Sequence, residues 1–471
     1  MTQRTRNVLG AVAALLLAAC GFATAYVARA VPVGTAYFAK VLCSAVFVSG
    51  RPAEDVLAVD LAIDNPIVDF LEVDVDGERR QVSASFRGYF ENTAVHRDGL
   101  GCTLAIGVTP DELRSRTLDG PRPAPRPWPG DEEDQEDQET EGDEDGAGID
   151  MQRLRRAVDG AFEEPDPDRP RRTRAVVVVH DGELVAERYA PGFDAGTALA
   201  GWSMTKSVTN ALVGILVAQG RLDVHTPAPV PEWQGADDPR GAVTLDQLLR
   251  MSSGLDFDET YGDPGADVQQ MLFRRPSAAA FAAAMPLRAA PDGEWSYSSG
   301  TSNIVSRIVR HTVEAVGEDY PTFPRRALFG PLGMTSAVLE PDASGTFVGS
   351  SFCFATACDW ARFGLLYLRD GVWDGERILP PGWVGYSTTP TPLSNGRYGA
   401  HLWLNAEPSG SGSERRWPSL PADLFMLSGY EGQWVYVVPS KQAVVVRLGM
   451  TQDRDAWDGP AFLTEVLAAL P

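Results

Sequence analysis

Residues 201–222 read GWSMTKSVTNALVGILVAQGRL. Val208, Leu212, Ile215 and Leu216 recur at helical spacing, and Gly220 supplies a stop. The run is apolar on nearly every side, which predicts a buried helix rather than a surface one. Ser203 and Lys206 fall in its first turn, three apart, so hydroxyl and amine share a face. A serine is a poor nucleophile until a base takes its proton. A lysine can be that base only where burial or neighbouring charge lowers its pKa towards neutrality. The helix start also offers unpaired N–H groups and a positive dipole end, suited to a developing oxyanion. A capped helix with a chance Ser-x-x-Lys is the plain alternative. Composition weighs against it. Of 41 basic residues only Lys40, Lys206 and Lys441 are lysine, and arginine cannot give up its proton at working pH.

Outward from this helix, the chain of 471 residues, 44% hydrophobic, has room for two or three units. Arg4 and Arg6 precede an apolar run over residues 8–27, long enough to cross a bilayer with the remainder outside. Leu17-Ala18-Ala19-Cys20 also resembles a lipoprotein cleavage box, and a cleaved signal peptide is a third reading. An uncleaved anchor is expected, because the run continues through Phe22, Ala23, Tyr26 and Val27. All three readings export the rest. The expected organisation is an anchor or signal over 1–30, a small β-rich unit over 41–118, a disordered linker over 119–148 and one folded domain over 149–471.

The β-rich expectation rests on VFVSG, FLEVDVDG, VSASFRGYF and CTLAIGV, rich in valine, phenylalanine and alternation. The linker, PRPAPRPWPG followed by a dense acidic run, breaks all periodicity and carries about half of the net charge of −23. No basic patch is evident, so a nucleic-acid partner is not expected. Cysteine usage fits export. Besides Cys20 there are four, and the pairs Cys43–Cys102 and Cys353–Cys358 each lie within one segment. Four buried free thiols are the alternative, and no histidines stand at zinc-ligand spacing.

Within 149–471, Met151, Leu154, Val158 and Phe162 predict a helix, and residues 174–189 a hairpin around Asp181-Gly182. The chain's end mirrors this, with strands at 433–438 and 443–448 and a helix over 460–470. Pairing of the terminal strands gives an α/β (α+β) fold: an antiparallel sheet flanked by N- and C-terminal helices, plus an inserted, mostly helical lobe. A ligand cleft is expected between the lobes. Two further stretches would face it. Tyr297, in GEWSYSSG, could relay a proton to the leaving group, or simply pack. In LSGYEGQWVYVV, Gly429 and Gly432 let backbone approach a ligand, and the N–H of Leu427 or Ser428 could complete an oxyanion hole; a turn with a bulge is the plain reading. Trp295, Tyr398, Trp403 and Tyr430 could line the cleft. No Gly-x-Ser-x-Gly elbow occurs, and none of the five histidines has a catalytic setting.

The order of motifs is Ser203-Met204-Thr205-Lys206, LLRMSSGLDF from Leu248, Tyr297-Ser298-Ser299, LFGPLGM from Leu328, DWARFG from Asp359 and SGYEGQ from Ser428. This set resembles the serine β-lactamase-like superfamily of class C enzymes, D,D-peptidases and related esterases, and most of all its 6-aminohexanoate-dimer hydrolase branch. The resemblance implies a β-lactamase/transpeptidase-like fold and an acyl-serine mechanism without metal or cofactor. It makes Ser203 the nucleophile, Lys206 its base, Tyr297 the proton shuttle, and Ser299, Ser428, Gly429 and Tyr430 substrate-binding. The chain departs from the pattern at two places. Ser299 stands where such β-lactamases commonly carry asparagine, and Phe425-Met426-Leu427-Ser428-Gly429 where they carry Lys-Thr-Gly. Without that lysine a carboxylate loses its usual cation, so a neutral ester or amide is the expected substrate. A D,D-carboxypeptidase, a β-lactamase or a non-catalytic envelope-ligand-binding protein are the alternatives.

Overall fold

Helix α1 (Gln3–Phe47) carries the chain from the N-terminal run into a packed core without a break. It belongs to a computed structural model that describes residues 3–63, 65, 68–118, 128, 148–408 and 414–471. The side chains of residues 8–25, on which the anchor reading rests, lie outside the described residues. The window Tyr26–Phe47 is also apolar enough to cross a membrane, but 72% of it is buried inside the protein, so this half is a core helix. Val33, Ala36, Ala39, Leu42 and Cys43 pack on a four-stranded antiparallel sheet in sequential order: β1 (Leu71–Asp76), β2 (Gln81–Phe86), β3 (Tyr89–Arg97) and β4 (Gly101–Leu104). The expected Cys43–Cys102 disulfide ties helix to sheet.

Residues 41–47 correct the sequence reading. They close α1 instead of opening the β-rich unit. Their β-branched residues favour strand only weakly, and burial on one helical face with Ala39, Leu42 and Ala45 overrides that preference.

The second region begins with α2 (Met151–Gly160), β5 (Thr173–His180) and β6 (Glu183–Tyr189). Asp181 and Gly182 join the strands with φ 50° and 91°, the left-handed pair that a tight hairpin turn requires. A long insertion follows, containing α3 (Thr205–Ala218), α4 (Asp267–Arg274), α5 (Ser299–Glu314) and α6 (Ala357–Leu368). The chain then returns as β7 (Trp403–Leu404), β8 (Phe425–Gly429), β9 (Gln433–Val438), β10 (Ala443–Gly449) and α7 (Gly459–Leu467).

The sheet order is β7-β8-β9-β10-β5-β6, antiparallel throughout, so the two ends of this region meet at β10 and β5. Alternation along β5 sends Val177 and Val179 into the core shared with the inserted helices, and Val176 and Val178 under α2 and α7.

Two other expectations change. Cys353 and Cys358 are free thiols. Cys353 is buried in a short strand, whereas Cys358 lies in the first turn of α6, its sulfur 3.7 Å from the Tyr189 hydroxyl; strand and helix turn the two side chains apart. Most of the expected linker, 119–148, lies outside the described residues. Trp128 within it is buried and donates from Nε1 to the Gly182 carbonyl at 2.8 Å, so at that point the chain is docked on the hairpin.

The two regions are joined by buried charge. Glu340, fully buried, pairs with Lys40 of α1 and accepts from Ser44 Oγ at 2.9 Å and the Cys102 N–H at 2.6 Å. Phe273, Val348 and Phe352 extend the apolar core across the same seam.

Candidate active site

Ser203 stands in a single 3-10 turn, Trp202–Met204, that leads directly into α3. The backbone there is strained, with Trp202 at φ 46°. Gly201 is needed before it, since a Cβ would lie 2.3 Å from the buried Trp360 ring. The first N–H groups of such a turn have no partner within the helix, which leaves the N–H of Ser203 suited to an oxyanion.

Lys206 follows one turn on and is 1% exposed. Its Nζ lies 3.2 Å from Ser203 Oγ, 3.1 Å from Ser299 Oγ and 3.1 Å from the Ser350 carbonyl. Burial pulls the amine down to about 8, against the opposing pull of the Glu259 carboxylate. The Tyr297 ring is 4.8 Å from the same nitrogen and is stacked on Trp403 at 5.3 Å. Burial and Glu259 drive the Tyr297 phenol well above its ordinary value, with the Ser203 hydroxyl pulling the other way. The structure thus brings Ser203, Lys206 and Tyr297 together.

The four residues expected to bind substrate divide. Ser428, Gly429 and Tyr430 line a cavity that contains Ser203. Ser299 does not face it. It is 1% exposed, and its hydroxyl is occupied by Lys206 on one side and donates to Glu259 Oε1 at 2.5 Å on the other. Its position supports the lysine.

The oxyanion candidates are sorted by strand alternation. The Leu424 carbonyl accepts from Asn405 on the β7 side. Backbone groups of alternate residues share a side, so those of Ser428 and Tyr430 face the open edge, and those of Leu427 face β9. A Cβ at Gly429 would lie 2.2 Å from the Gly201 carbonyl, so only glycine allows β8 this close to the nucleophile turn.

Three residues were missed by the sequence reading. Glu259 accepts from Ser299 and from the Tyr261 hydroxyl at 2.8 Å, and sits beneath the lysine. Tyr261 is a second phenol interacting with Ser203, and its ring lies 5.4 Å from that of Tyr430. Arg416 lines the cavity together with Arg454. Its guanidinium lies over Trp417 at 4.8 Å and Trp403 at 5.2 Å, supplying a cation where the motif lacked one. All three sit in loops without periodicity, and nothing in the local sequence marks them. Of the aromatic candidates, Trp403 and Tyr430 reach the cavity, whereas Tyr398 is buried behind Trp403 and Tyr297. His401 is buried, bonded through Nδ1 to the Lys206 carbonyl at 2.9 Å, and pushed down to about 3 by burial. It is a neutral brace.

The sequence pattern of the β-lactamase family matches residues 156–463. The chain belongs to the β-lactamase family. It is 29% identical over 321 residues to a 6-aminohexanoate-dimer hydrolase of Paenarthrobacter ureafaciens, an alignment covering 63% of this chain and 79% of that one. Among solved structures, a penicillin-binding protein homologue from Caulobacter crescentus superposes with TM-score 0.51 at 19% identity, covering 68% of this chain and 97% of the other. A family VIII carboxylesterase gives 0.53 at 15%, covering 68% and 96%. At these identities the two structures share the fold. The β-lactamase match leaves α1 and its four-stranded sheet outside the family's domain.

Proposed function

We propose that this β-lactamase-family hydrolase cleaves an ester or amide through an acyl intermediate on Ser203. One observation carries the reading: a buried amine, drawn down to about 8, lies 3.2 Å from the Ser203 hydroxyl. In the proposed reaction neutral Lys206 takes the Ser203 proton as Oγ bonds to the carbonyl carbon. The N–H of Ser203 and an N–H at Ser428 or Tyr430 hold the oxyanion. Collapse expels the alcohol or amine, which leaves with a proton passed through Tyr297. Because its pKa is raised, Tyr297 is protonated at rest and acts as a donor relay rather than a standing phenolate. Water, deprotonated by the same groups, then attacks the acyl carbon and frees Ser203. Export fits this reading, with residues 8–27 as a membrane anchor and the catalytic region outside the cytoplasm.

Intact-mass labelling with a fluorophosphonate tests it directly. One adduct is expected on the native chain and none on Ser203→Ala, together with loss of p-nitrophenyl ester turnover by roughly 10⁴-fold or more. An unlabelled native protein would make it a binding protein on this fold. Arg416 supports a second reading, an amide whose substrate carries a carboxylate, such as a β-lactam or the 6-aminohexanoate dimer acted on by the relative. Turnover of nitrocefin or of that dimer, lost in Arg416→Met, would favour it.

A further inference from the structure

Ser203 lines two cavities rather than one. One, about 550 Å³, holds Arg416 and a group of tryptophans. The other, about 480 Å³, lies between the catalytic region and the N-terminal unit that the family's domain does not include. Its walls are Val33, Gly34 and Phe38 of α1, Leu71 of β1, and Leu272 and Phe273 of α4. Asn65, Gln269, Gln452 and the Glu431 carboxyl also line it, and among the described residues no lysine or arginine does. Its contacts with α1 fall at positions 30, 33, 34, 37 and 38, a single stripe along about 12 Å of helix, so the space is elongated.

Gly34 sits mid-stripe. Glycine weakens a helix interior, and at three other helical positions packing explains it. A Cβ at Gly214, Gly300 or Gly364 would come within 2.7 Å of Trp383, Phe257 or Val444. At Gly34 a Cβ meets nothing within 4 Å. Gly160 and Gly385 are open in the same way, but Gly34 lines the cavity, so a larger side chain there would occupy it.

We infer that this cavity binds the aliphatic acyl chain of the substrate, making the enzyme selective for lipid-like esters or amides. The inference rests on the acyl-serine reading for its chemistry. A linear chain suits an elongated, mainly apolar slot that opens on the nucleophile, leaving the cavity with Arg416 for the alcohol or amine portion. The slot begins at Ala30, just after the apolar run 8–27 ends, so an anchored enzyme would present it near the bilayer surface.

The test compares kcat/KM for p-nitrophenyl acetate, butyrate, octanoate and decanoate. In the native enzyme kcat/KM should rise by about fourfold per methylene as the slot fills. Gly34→Phe should lower the decanoate-to-acetate ratio at least tenfold, and Gly34→Ala, which favours the helix, should lower it by less. A second readout is independent of turnover. Methyl parinarate, a fluorescent fatty ester, should bind Ser203→Ala, and at least tenfold more weakly when Gly34→Phe is added. A ratio unmoved by Gly34→Phe, with equal parinarate binding, overturns the proposal while fluorophosphonate labelling keeps the hydrolase. Parinarate binding lost with Gly34→Phe in a protein that never labels upholds the slot and removes the hydrolase.

Discussion

The catalytic region and the N-terminal unit use buried charge in opposite ways. Among the described residues the buried Lys206 has no direct carboxylate partner; it bonds two hydroxyls and a carbonyl, and its pKa falls to about 8. In α1 burial lowers the pKa of Lys40 as well, but Glu340 opposes it through a direct pair, and the pair binds one region to the other. The same residue type is reactive in one place and structural in the other, and the difference is whether a carboxylate touches it. The comparison also explains why the N-terminal unit leans on its neighbour. A helix on a four-stranded sheet has one face left, and that face is covered by Phe273, Val348 and Phe352.

The seam is where the comparison breaks most visibly. Glu340→Ala would leave the Lys40 ammonium and the Cys102 N–H buried without their acceptor. Breaking one side of a buried ion pair costs about 3–5 kcal/mol, so urea unfolding should show a loss of that size. Lys40→Met combined with Glu340→Leu removes both charges and should recover most of it. A loss below about 1 kcal/mol in the single variant would mean that the pair is not holding the seam.

Much of the catalytic region was legible because its signals are local. The Ser203–Lys206 spacing, the Asp181-Gly182 turn and the strands over 433–449 are each set within a few residues. Glu259 escaped because its partner, Ser299, is 40 residues away in sequence. Arg416 escaped because a lone arginine in a loop carries no pattern. The anchor reading drew a boundary at residue 30 that α1 ignores, since the apolar face over 30–47 is core burial rather than membrane burial. Hydropathy alone does not separate the two. The slot is less legible still, for it is formed by residues 30–38 facing residues 272–273, and only the folded chain brings them together.

The lysine comparison is sharpened by pH. Only neutral Lys206 can accept the Ser203 proton, so kcat/KM should climb as pH rises towards about 8 and level off above it. With an amine near 8, the gain from pH 7 to pH 9 is roughly tenfold. Glu259 favours the charged amine, so Glu259→Gln should let the amine fall further and move the acidic limb to lower pH. Glutamine keeps the shape and one acceptor oxygen for the Ser299 and Tyr261 hydroxyls, and gives up the bond that Oε2 accepts from the Ser299 N–H. A profile flat from pH 6 to 9, or a limb that moves upward in Glu259→Gln, would remove Lys206 as the base.

The smallest effect concerns the two cysteine pairs. Cys43–Cys102 closes a loop with a sequence separation of 59, and chain entropy assigns such a bridge about 4 kcal/mol. Cys353 and Cys358 are free, so Cys358→Ser should change unfolding stability by no more than about 0.5 kcal/mol. Its sulfur lies 3.7 Å from the Tyr189 hydroxyl and 3.8 Å from the Glu187 carboxylate, and a serine hydroxyl can bond to either. A bridge between residues 353 and 358 would close a very short loop and still contribute about 2 kcal/mol. A loss of that size, abolished when the native chain is first reduced, would mean that the second pair closes in solution after all. No loss would leave Cys43–Cys102 as the covalent tie, placed in the N-terminal unit, which has the smaller core.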